Sequence, residues 1–169
     1  MSTRTFVLGF VLAPARSKRH DAPGWRPHLA LPSGDSAATE KAKMADEWKD
    51  VDHALAYLAR ADTIPHRTEG EAVLIEEVSP DCARILDLGT GDGRLLALLL
   101  LRCPDAKGIA LDFSPAMIDR ANDRFRGDDR VRVIEHDLGQ PLPDLGTHDA
   151  VCSSFAIHHV SAERKRSLY

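Results

Sequence analysis

The sequence predicts an α/β fold built around a parallel β-sheet and preceded by a helical cap. From Asp81 onward, short apolar runs alternate with helix-forming stretches three times. Such alternation indicates βαβ units, whose right-handed crossovers make neighbouring strands parallel. Glycine and acidic residues follow the runs, where strands end at their carboxyl edge and such sheets bind ligands. Residues 38–78 are instead rich in helix formers, which predicts the cap.

The first 43 residues are predicted to be a disordered extension. Residues 14–37 are dominated by Pro, Gly, Ser, Arg and His and show no periodicity. The apolar run from Phe6 to Ala13 has the outline of a secretory signal, but it is short and interrupted by Gly9. We therefore expect a cytoplasmic protein, with Met44 as a second candidate for the native start.

Residues 44–79 are predicted to form the cap from two helices. Pro65 ends the first helix, because the residue before a proline avoids helical geometry. The second helix extends from about Thr68 to Val78, and Thr68 with Glu71 has the spacing of a capping box. The apolar face of the first helix is predicted to contain Trp48, Val51, Leu55 and Leu58.

Four strands are predicted in the remainder of the chain, over residues 80–169. The runs "ARILDL" and "GIALD" are apolar enough for buried parallel strands. The third run, "VRVIEH", alternates apolar and polar residues, which favours a position at the sheet edge. The fourth strand is predicted in "DAVCSS".

The helices between these strands have recognisable ends. The leucine-rich stretch "GRLLALLLLRC" is closed by Pro104. In "SPAMIDRANDRFRG", Ser114 is a favourable N-cap, Pro115 suits the first helical position, and Gly127 is a favourable stop. A last helix begins after Ser161, which is again a suitable N-cap.

Composition limits the classes of partner. The net charge is −4 and the pI about 6.0, so there is no general electrostatic argument for nucleic acid, although a local basic patch would leave RNA open. Cys82, Cys103 and Cys152 have no CxxC spacing, which disfavours a disulfide framework or a zinc site. No segment reaches the roughly 18 apolar residues that cross a membrane.

The loop after the first strand has the pattern D-x-G-x-G-x-G, formed by Asp87, Gly89, Gly91 and Gly93. Three alternating glycines exceed what a tight turn needs, and glycine allows the backbone to approach a ligand. A dinucleotide fingerprint would need glycine at position 94, where Arg94 stands. This disfavours an NAD-linked oxidoreductase, and the G-K-[ST] of a phosphate-binding loop is absent as well.

Acids also follow the second and third strands. Asp112 has the spacing of an acid that accepts hydrogen bonds from ribose hydroxyls. The alternative is an exposed acid at a helix N-terminus, favoured by the macrodipole. Asp137 and Leu138 suit an adenine amino group and its ring, although an acid after a strand is also common in turns.

Two imidazoles follow the fourth strand in "SSFAIHHV". Adjacent His158 and His159 do not easily point the same way, and no third ligand has suitable spacing, so no metal site is predicted. Either histidine is a candidate general base near neutral pH. A packing or capping role for both is the alternative.

The segments "ILDLGTGDG", "GIALDFSPAMIDRA", "VRVIEHDL" and "HDAVCSSFAIHHV" resemble, in order and spacing, the successive motifs of class I S-adenosylmethionine-dependent methyltransferases. The resemblance covers residues 85–160. It implies a Rossmann-like sheet with strand order 3-2-1-4 for the strands present, with strands 5–7 of the family missing. The chain is then expected to be a C-terminally truncated methyltransferase, poorly soluble and with little activity by itself.

The resemblance also implies roles for residues at the four strand ends. One group would hold the methionine part of the cofactor, the next the ribose side, the next the adenine, and the last would close the methionine end towards the substrate. In chain order these residues are Asp87, Gly89, Thr90 and Gly91; Asp112, Phe113 and Met117; Asp137 and Leu138; Ser153, Ser154 and Phe155. Tyr57 or Arg67 of the cap would reach the cofactor carboxylate.

The expected reaction is in-line methyl transfer from S-adenosyl-L-methionine to a small-molecule acceptor, with RNA as the other acceptor class. His158 or His159 would act as base if the acceptor must lose a proton. An NAD-linked oxidoreductase and a non-catalytic module that binds a cofactor or a partner remain the alternatives.

Overall fold

The computed structural model describes Glu47, residues 50–63 and residues 65–168 of the chain. The predicted extension over residues 1–43 and the predicted contact of Trp48 lie outside these residues. In the described part, two helices precede an alternation of strands and helices: α1 (Val51–Arg60), α2 (Arg67–Glu77), β1 (Arg84–Leu88), α3 (Arg94–Arg102), β2 (Lys107–Asp112), α4 (Pro115–Arg124), β3 (Val131–Glu135), β4 (Ala150–Cys152) and α5 (Ala162–Leu168). Short 3-10 turns cover Ala61–Thr63 and Ile157–His159.

The four strands form one parallel sheet in the order β3-β2-β1-β4, which confirms the predicted fold class and strand order. In the register of the sheet Asp87 pairs with Ala110, and Asp112 pairs with Glu135. The acids that end β1 and β2 therefore lie at the same edge. Strand β3 is an edge strand, as its alternating pattern predicts, and β4 is the other edge.

Helix α3 fastens the first strand to the core. Its buried residues recur at helical spacing, whereas Leu101, which directly follows the last of them, is 81% exposed. Because Gly108 has no side chain, β2 can approach Leu96 closely: a Cβ on Gly108 would lie 2.8 Å from the Leu96 side chain. The loop that joins β1 to α3 is thus held between two well-packed elements. The buried leucines of α3 are Leu95, Leu96, Leu99 and Leu100.

Two of the predicted helix starts are borne out in different ways. Ser161 caps α5, since its Oγ accepts from the Arg164 N–H at 3.0 Å. Ser114 stands at the N-cap position of α4 with Pro115 next to it, but its side chain makes no capping hydrogen bond. The Ser114 N–H instead donates to the Asp112 carboxylate at 2.9 Å, so backbone rather than side chain ties this helix start to β2.

The predicted capping box of α2 is wrong. The N-cap of this helix is His66, in the left-handed conformation (φ 61°), not the neighbourhood of Thr68. Glu71 does not reach back to the helix start because its carboxylate is buried, 3% exposed, between two arginines. An unpaired buried carboxylate costs more free energy than an uncapped helix end, because water can hydrogen-bond the free N–H groups of the helix end.

The predicted apolar face of α1 is right at Leu58, which packs next to Ala54, but wrong at two other described residues. Val51 and Leu55 are 51% and 36% exposed. The helix packs through the fully buried Ala54, with Tyr57 and Leu58 next to it, against Ala116 and Met117 of α4. A small residue at the contact lets two helices approach closely, so the alanine rather than the larger residues marks the buried side. Among the described residues, no helix combines the length and apolar character needed to cross a membrane.

Candidate functional site

A cavity of about 360 Å³ lies at the carboxyl ends of the strands, between the sheet and the cap. This volume is within the usual range for small-molecule sites. Every strand end with a predicted role contributes to the wall, and so does the cap through Tyr57, Leu58 and Arg67. The predicted site residues that line the cavity are Asp87, Gly89, Thr90, Gly91, Asp112, Phe113, Met117, Asp137, Leu138, Ser154, Phe155 and His159.

The glycines of the loop after β1 serve separate purposes. All three have positive φ, 69° at Gly89, 58° at Gly91 and 81° at Gly93, which side chains rarely adopt. A Cβ on Gly89 would lie 2.1 Å from the Cβ of Ala156, so this position also lacks room. Around Gly91 the nearest atom to such a Cβ is the Met117 Sδ at 4.0 Å, so the backbone there borders open cavity.

Asp87 is a buried acid in the wall of the cavity, only 1% exposed. Its carboxylate accepts from the Thr90 Oγ at 2.7 Å and has the Cys152 Sγ at 3.7 Å. Burial raises the pKa of Asp87 to about 6, and the Thr90 hydrogen bond opposes that rise. Near pH 7 the group is thus a largely charged acceptor in an apolar setting, suited to a cationic or N–H group of a ligand.

Asp112 links the end of β2 to the glycine-rich loop. One carboxylate oxygen accepts from the Gly91 N–H at 2.8 Å and the other from the Ser114 N–H at 2.9 Å. Burial raises the pKa of Asp112, and these backbone hydrogen bonds oppose the rise. Each carboxylate oxygen has a second lone pair, so vicinal hydroxyls can still bind. The sequence predicts the ligand role, but not the support that Asp112 gives to the loop.

Asp137 and Leu138 differ in burial although both line the cavity. Leu138 is 6% exposed, as a residue covering an apolar ring would be. Asp137 is exposed, and its carboxylate accepts from the Gly139 N–H at 2.7 Å in a local turn. The turn interpretation and the ligand interpretation of Asp137 are therefore compatible, because one carboxylate oxygen serves the turn.

The segment after β4 departs from the prediction at two residues. Ser153 is 2% exposed and does not line the cavity; its Oγ donates to the Leu88 carbonyl at 2.7 Å and ties β4 to β1. His158 is exposed and also lies outside the cavity wall. Ser154, Phe155 and His159 line it instead. The expectation that the two imidazoles point apart is wrong, because the centroids of their rings lie 3.8 Å from each other. Only His159 of this pair borders the cavity, which spacing along the sequence does not reveal.

His159 is the imidazole that borders the cavity. Burial lowers its pKa to about 4, and the nearby His158 and Lys165 add to that effect. The ring is therefore neutral at pH 7. A neutral imidazole can accept a proton, but one with this pKa holds it weakly.

The family comparison decides between the candidate cofactors. The family described as "Methyltransferase domain" matches residues 85–169, which is half of the chain. The chain belongs to the class I S-adenosylmethionine-dependent methyltransferases. The match begins at the first residue after Arg84 of β1 and so contains the sheet and all the strand-end acids of the cavity.

Relatives with curated names share this methyltransferase region. The chain is 41% identical over 85 residues to a demethylmenaquinone methyltransferase from Thermus thermophilus, covering 48% of this chain and 38% of the relative. It is 33% identical over 154 residues to an aclacinomycin 10-hydroxylase from Streptomyces purpurascens, covering 89% of this chain and 35% of the relative. The methyltransferase chain thus spans little more than a third of the length of these relatives.

A solved structure confirms the fold of this methyltransferase chain. A putative S-adenosyl-L-methionine-dependent methyltransferase from Methanococcus maripaludis superposes with a TM-score of 0.58 at 20% identity, over 72% of this chain and 58% of that one. At this identity the likeness concerns the fold alone. It agrees with the parallel sheet and its strand order.

The cavity residues fit the cofactor of the methyltransferase family. The buried acceptors Asp87 and Asp112 suit ammonium and hydroxyl groups, and open space borders the Gly91 backbone. Leu138 and Met117 offer apolar surface for an adenine ring. Among the described residues no group of His, Cys, Asp and Glu is arranged to hold a metal ion.

Some wall residues of the cavity were not predicted from the sequence. Asp92 stands inside the glycine-rich loop, and its position there is a signal that could have been used. The others reach the wall only through the packing of loops, so no local pattern identifies them. They are Leu58, Leu95, Gly139, Ala156, Val160 and Ser161.

Proposed function

We propose that this chain binds S-adenosyl-L-methionine in the strand-end cavity and serves methyl transfer to a small-molecule acceptor. The observation that carries the proposal is the meeting of Asp87, Asp112 and Asp137 with the glycine-rich loop around one cavity. These acids lie at the carboxyl ends of three adjacent strands, and their order along the sheet suits a ligand with amino-acid, ribose and adenine parts.

The reaction asks the chain mainly to bind and orient. When bound, the cofactor supplies a methyl group that its sulfonium already activates. Alignment of reacting groups is worth up to about 7–11 kcal/mol. Asp87 would hold the ammonium, Asp112 the ribose hydroxyls, and Phe155 with Ser154 would border the place where an acceptor approaches. Phe155 has a φ of 58°, a strained conformation of the kind found at functional sites.

His159 is the candidate base in this proposal. A base is needed only if the acceptor must lose a proton during attack. With its lowered pKa, His159 is suited to acceptors that are themselves easily deprotonated. His158 is not retained, because it lies outside the cavity wall.

The charge of the cavity wall favours a small-molecule acceptor over RNA. Four wall residues are carboxylates, namely Asp87, Asp92, Asp112 and Asp137, whereas Arg67 is the one arginine among the described wall residues. Phosphates are repelled by such a wall. We also place the protein in the cytoplasm, since Cys82, Cys103 and Cys152 are buried free thiols.

Calorimetry with S-adenosylhomocysteine and with NAD tests the proposal. We expect the unmodified chain to bind S-adenosylhomocysteine, and Asp112→Asn to weaken that binding by about 10- to 100-fold because a charged acceptor of hydroxyls is lost. Asp119→Asn, the same change on the exposed side of α4, is the matched control and should bind normally. Binding of NAD without S-adenosylhomocysteine would overturn the proposal.

A second candidate function comes from the hydroxylase relative, whose alignment extends over 89% of this chain. The same fold would then serve hydroxylation, in which one atom of O₂ enters the substrate and an external two-electron reductant reduces the other atom to water. The cavity would bind the substrate. Mass spectrometry of the product separates the two functions. Gain of a methyl group supports the transferase, and gain of an oxygen atom supports the hydroxylase.

A further inference from the structure

An arginine of the last helix, α5, fastens that helix to the loop after β3. The Arg164 Nε donates to the Leu138 carbonyl at 2.7 Å. The helix itself begins at a fixed point, because the Ser161 Oγ accepts from the Arg164 N–H at 3.0 Å. Leu168 lies four residues after Arg164, on the same helix face, and packs against the apolar cluster that contains Leu138. The contact between α5 and the loop is therefore both polar and apolar.

The orientation of Arg164 has a cost in free energy. The residue is half-buried, and its Nη2 has no hydrogen-bond partner among the residues that the structure describes. Its Nη1 donates to the Ser167 Oγ at 2.6 Å. A buried donor of a charged group is unfavourable when it is unpaired, whereas an exposed arginine such as Arg166 is solvated. The charge-assisted hydrogen bond to Leu138 and the packing of α5 offset this cost.

The carbonyl that Arg164 binds belongs to a peptide unit of the cavity wall. Asp137, Leu138 and Gly139 line the cavity, whereas Arg164 does not. The Leu138 carbonyl and the Gly139 N–H are the two ends of one planar peptide unit. Arg164 donates to the carbonyl end, and the Gly139 N–H donates to the Asp137 carboxylate at 2.7 Å. The guanidinium and the carboxylate thus hold the same peptide from opposite ends.

This arrangement lets an arginine outside the cavity fix a carboxylate inside it. The peptide unit is rigid, so its N–H can point in only one direction once its carbonyl is held. The Asp137 carboxylate is tied to that N–H by one oxygen. The direction of the remaining lone pairs of Asp137 therefore depends on Arg164.

We propose that Arg164 is a positioning residue for the base of the cofactor: by fixing the Leu138–Gly139 peptide it directs the Asp137 carboxylate towards the amino group of the adenine. The inference rests on the function proposed above and adds a residue that touches no ligand. A carboxylate held in this direction accepts from an amino group and repels a keto oxygen in the same place. Arg164 thereby contributes to the preference for adenine over hypoxanthine.

The test compares two ligands that differ in this one group. S-adenosylhomocysteine contains the amino group, whereas S-inosylhomocysteine has a keto oxygen instead. By calorimetry we expect the unmodified chain to prefer S-adenosylhomocysteine by at least about tenfold. Arg164→Gln should lower the affinity for S-adenosylhomocysteine by about three- to tenfold and reduce the preference to less than about threefold, because the carboxylate is no longer directed.

Conservative and matched variants show whether the effect comes from positioning. Arg164→Lys keeps a charged donor for the Leu138 carbonyl without the planar fork, so the preference should be intermediate. It also serves as the test if urea denaturation shows that Arg164→Gln is unfolded. Arg166→Gln, the same change at an exposed position of α5, is the control and should leave both affinities unchanged.

A double variant tests the coupling between the arginine and the carboxylate. Asp137→Asn should by itself abolish most of the preference, because the charge that repels the keto oxygen is removed. Adding Arg164→Gln to Asp137→Asn should then reduce the preference by less than about twofold, since the two residues act through one peptide. Independent, additive losses of preference would overturn the inference.

The remaining outcomes separate this inference from the proposed function. If Arg164→Gln weakens both ligands equally and keeps the preference, or if the unmodified chain shows no preference, the role of Arg164 is overturned while the cofactor site stands. If the unmodified chain binds neither ligand, the proposed function fails and this inference fails with it.

Discussion

The loop after β1 (residues 89–93) and the segment after β4 (residues 153–161) border the same cavity but are built differently. In the loop, positive φ values and the hydrogen bond from the Gly91 N–H to Asp112 fix the backbone. In the segment, some side chains border the cavity and their neighbours do not: Phe155 and His159 line it, whereas Ser153 and His158 lie outside the wall. The first region depends on the backbone conformations that glycine can adopt. The second depends on which of several neighbouring side chains border the cavity.

The largest effect is expected from Gly89→Ala in the loop. Its Cβ would lie 2.1 Å from the Ala156 Cβ, in a backbone with φ of 69°. We expect the free energy of unfolding to fall by about 2–4 kcal/mol from overpacking and strain together. Binding of S-adenosylhomocysteine should become undetectable. Urea denaturation and calorimetry measure the two effects.

Gly127→Ala is the matched control for that change. Gly127 has a similar φ of 82° but nothing within 4 Å of an added Cβ. For Gly127→Ala the free energy of unfolding should fall by about 1–2 kcal/mol, from the strain of the left-handed conformation alone. The ligand affinity should stay unchanged. Equal losses for both variants would mean that contact with the segment after β4 is irrelevant to the loop.

The next effect is the pH dependence of the free energy of unfolding that Asp87, just before the loop, is expected to cause. Burial raises its pKa to about 6 from 3.8, so the folded state binds the proton more tightly than the unfolded state. Stability from this group is therefore present at low pH and lost as the pH rises from about 4 to 6, by about 2–3 kcal/mol. Urea denaturation at several pH values, compared between the unmodified chain and Asp87→Asn, measures this difference.

Ligand affinity should follow the opposite direction at Asp87. Only the charged carboxylate attracts an ammonium, so binding of S-adenosylhomocysteine should weaken as the pH falls below about 6. Asp87→Asn should bind weakly at every pH. A variant with the same pH profile as the unmodified chain would contradict both expectations.

A smaller effect is expected from Ser153→Ala in the segment after β4. The Ser153 Oγ donates to the Leu88 carbonyl at 2.7 Å, and both residues are buried. The free energy of unfolding should fall by about 1–2 kcal/mol, the usual result of leaving a buried carbonyl unpaired. Ligand affinity should stay within about threefold, because the residue is outside the cavity. A large loss of ligand affinity with an unchanged free energy of unfolding would show that Ser153 takes part in ligand binding after all.

The smallest effect separates the two histidines. His159→Gln should alter S-adenosylhomocysteine affinity by about three- to tenfold, as expected for one partly exposed wall contact, whereas His158→Gln should not alter it. Calorimetry on the two variants gives a direct comparison of neighbouring positions. A larger effect at His158 would show that the turn is directed differently when ligand is bound.

The fold was predictable because spacing determines it. The alternation of apolar runs and helices specifies parallel βαβ units, and the acids Asp87 and Asp112 then meet at one edge whatever the details of packing. The contribution of the glycine-rich loop to the cavity wall was predictable for the same reason, because the loop directly follows β1 at that edge of the sheet.

The rest depended on tertiary contacts that no local pattern carries. Val51 and Leu55 are exposed because α1 packs through the small Ala54. Thr68 and Glu71 have the spacing of a capping box, but Arg94 from another helix recruits the carboxylate. The division into a cap over residues 44–79 and a methyltransferase half over residues 80–169 stays a prediction, as do the site roles.

The close approach of Gly89 and Ala156 has an evolutionary consequence. The two positions share one volume, so a methyl group gained at 89 requires a methyl group lost at 156. Such an exchange would restore the space but would not remove the strain of the left-handed backbone at 89. The order of the two changes matters because the intermediate with two methyl groups is overpacked and destabilised. Drift in these distant stretches of the gene is therefore coupled, and the historical path is expected to pass through glycine at 156 first.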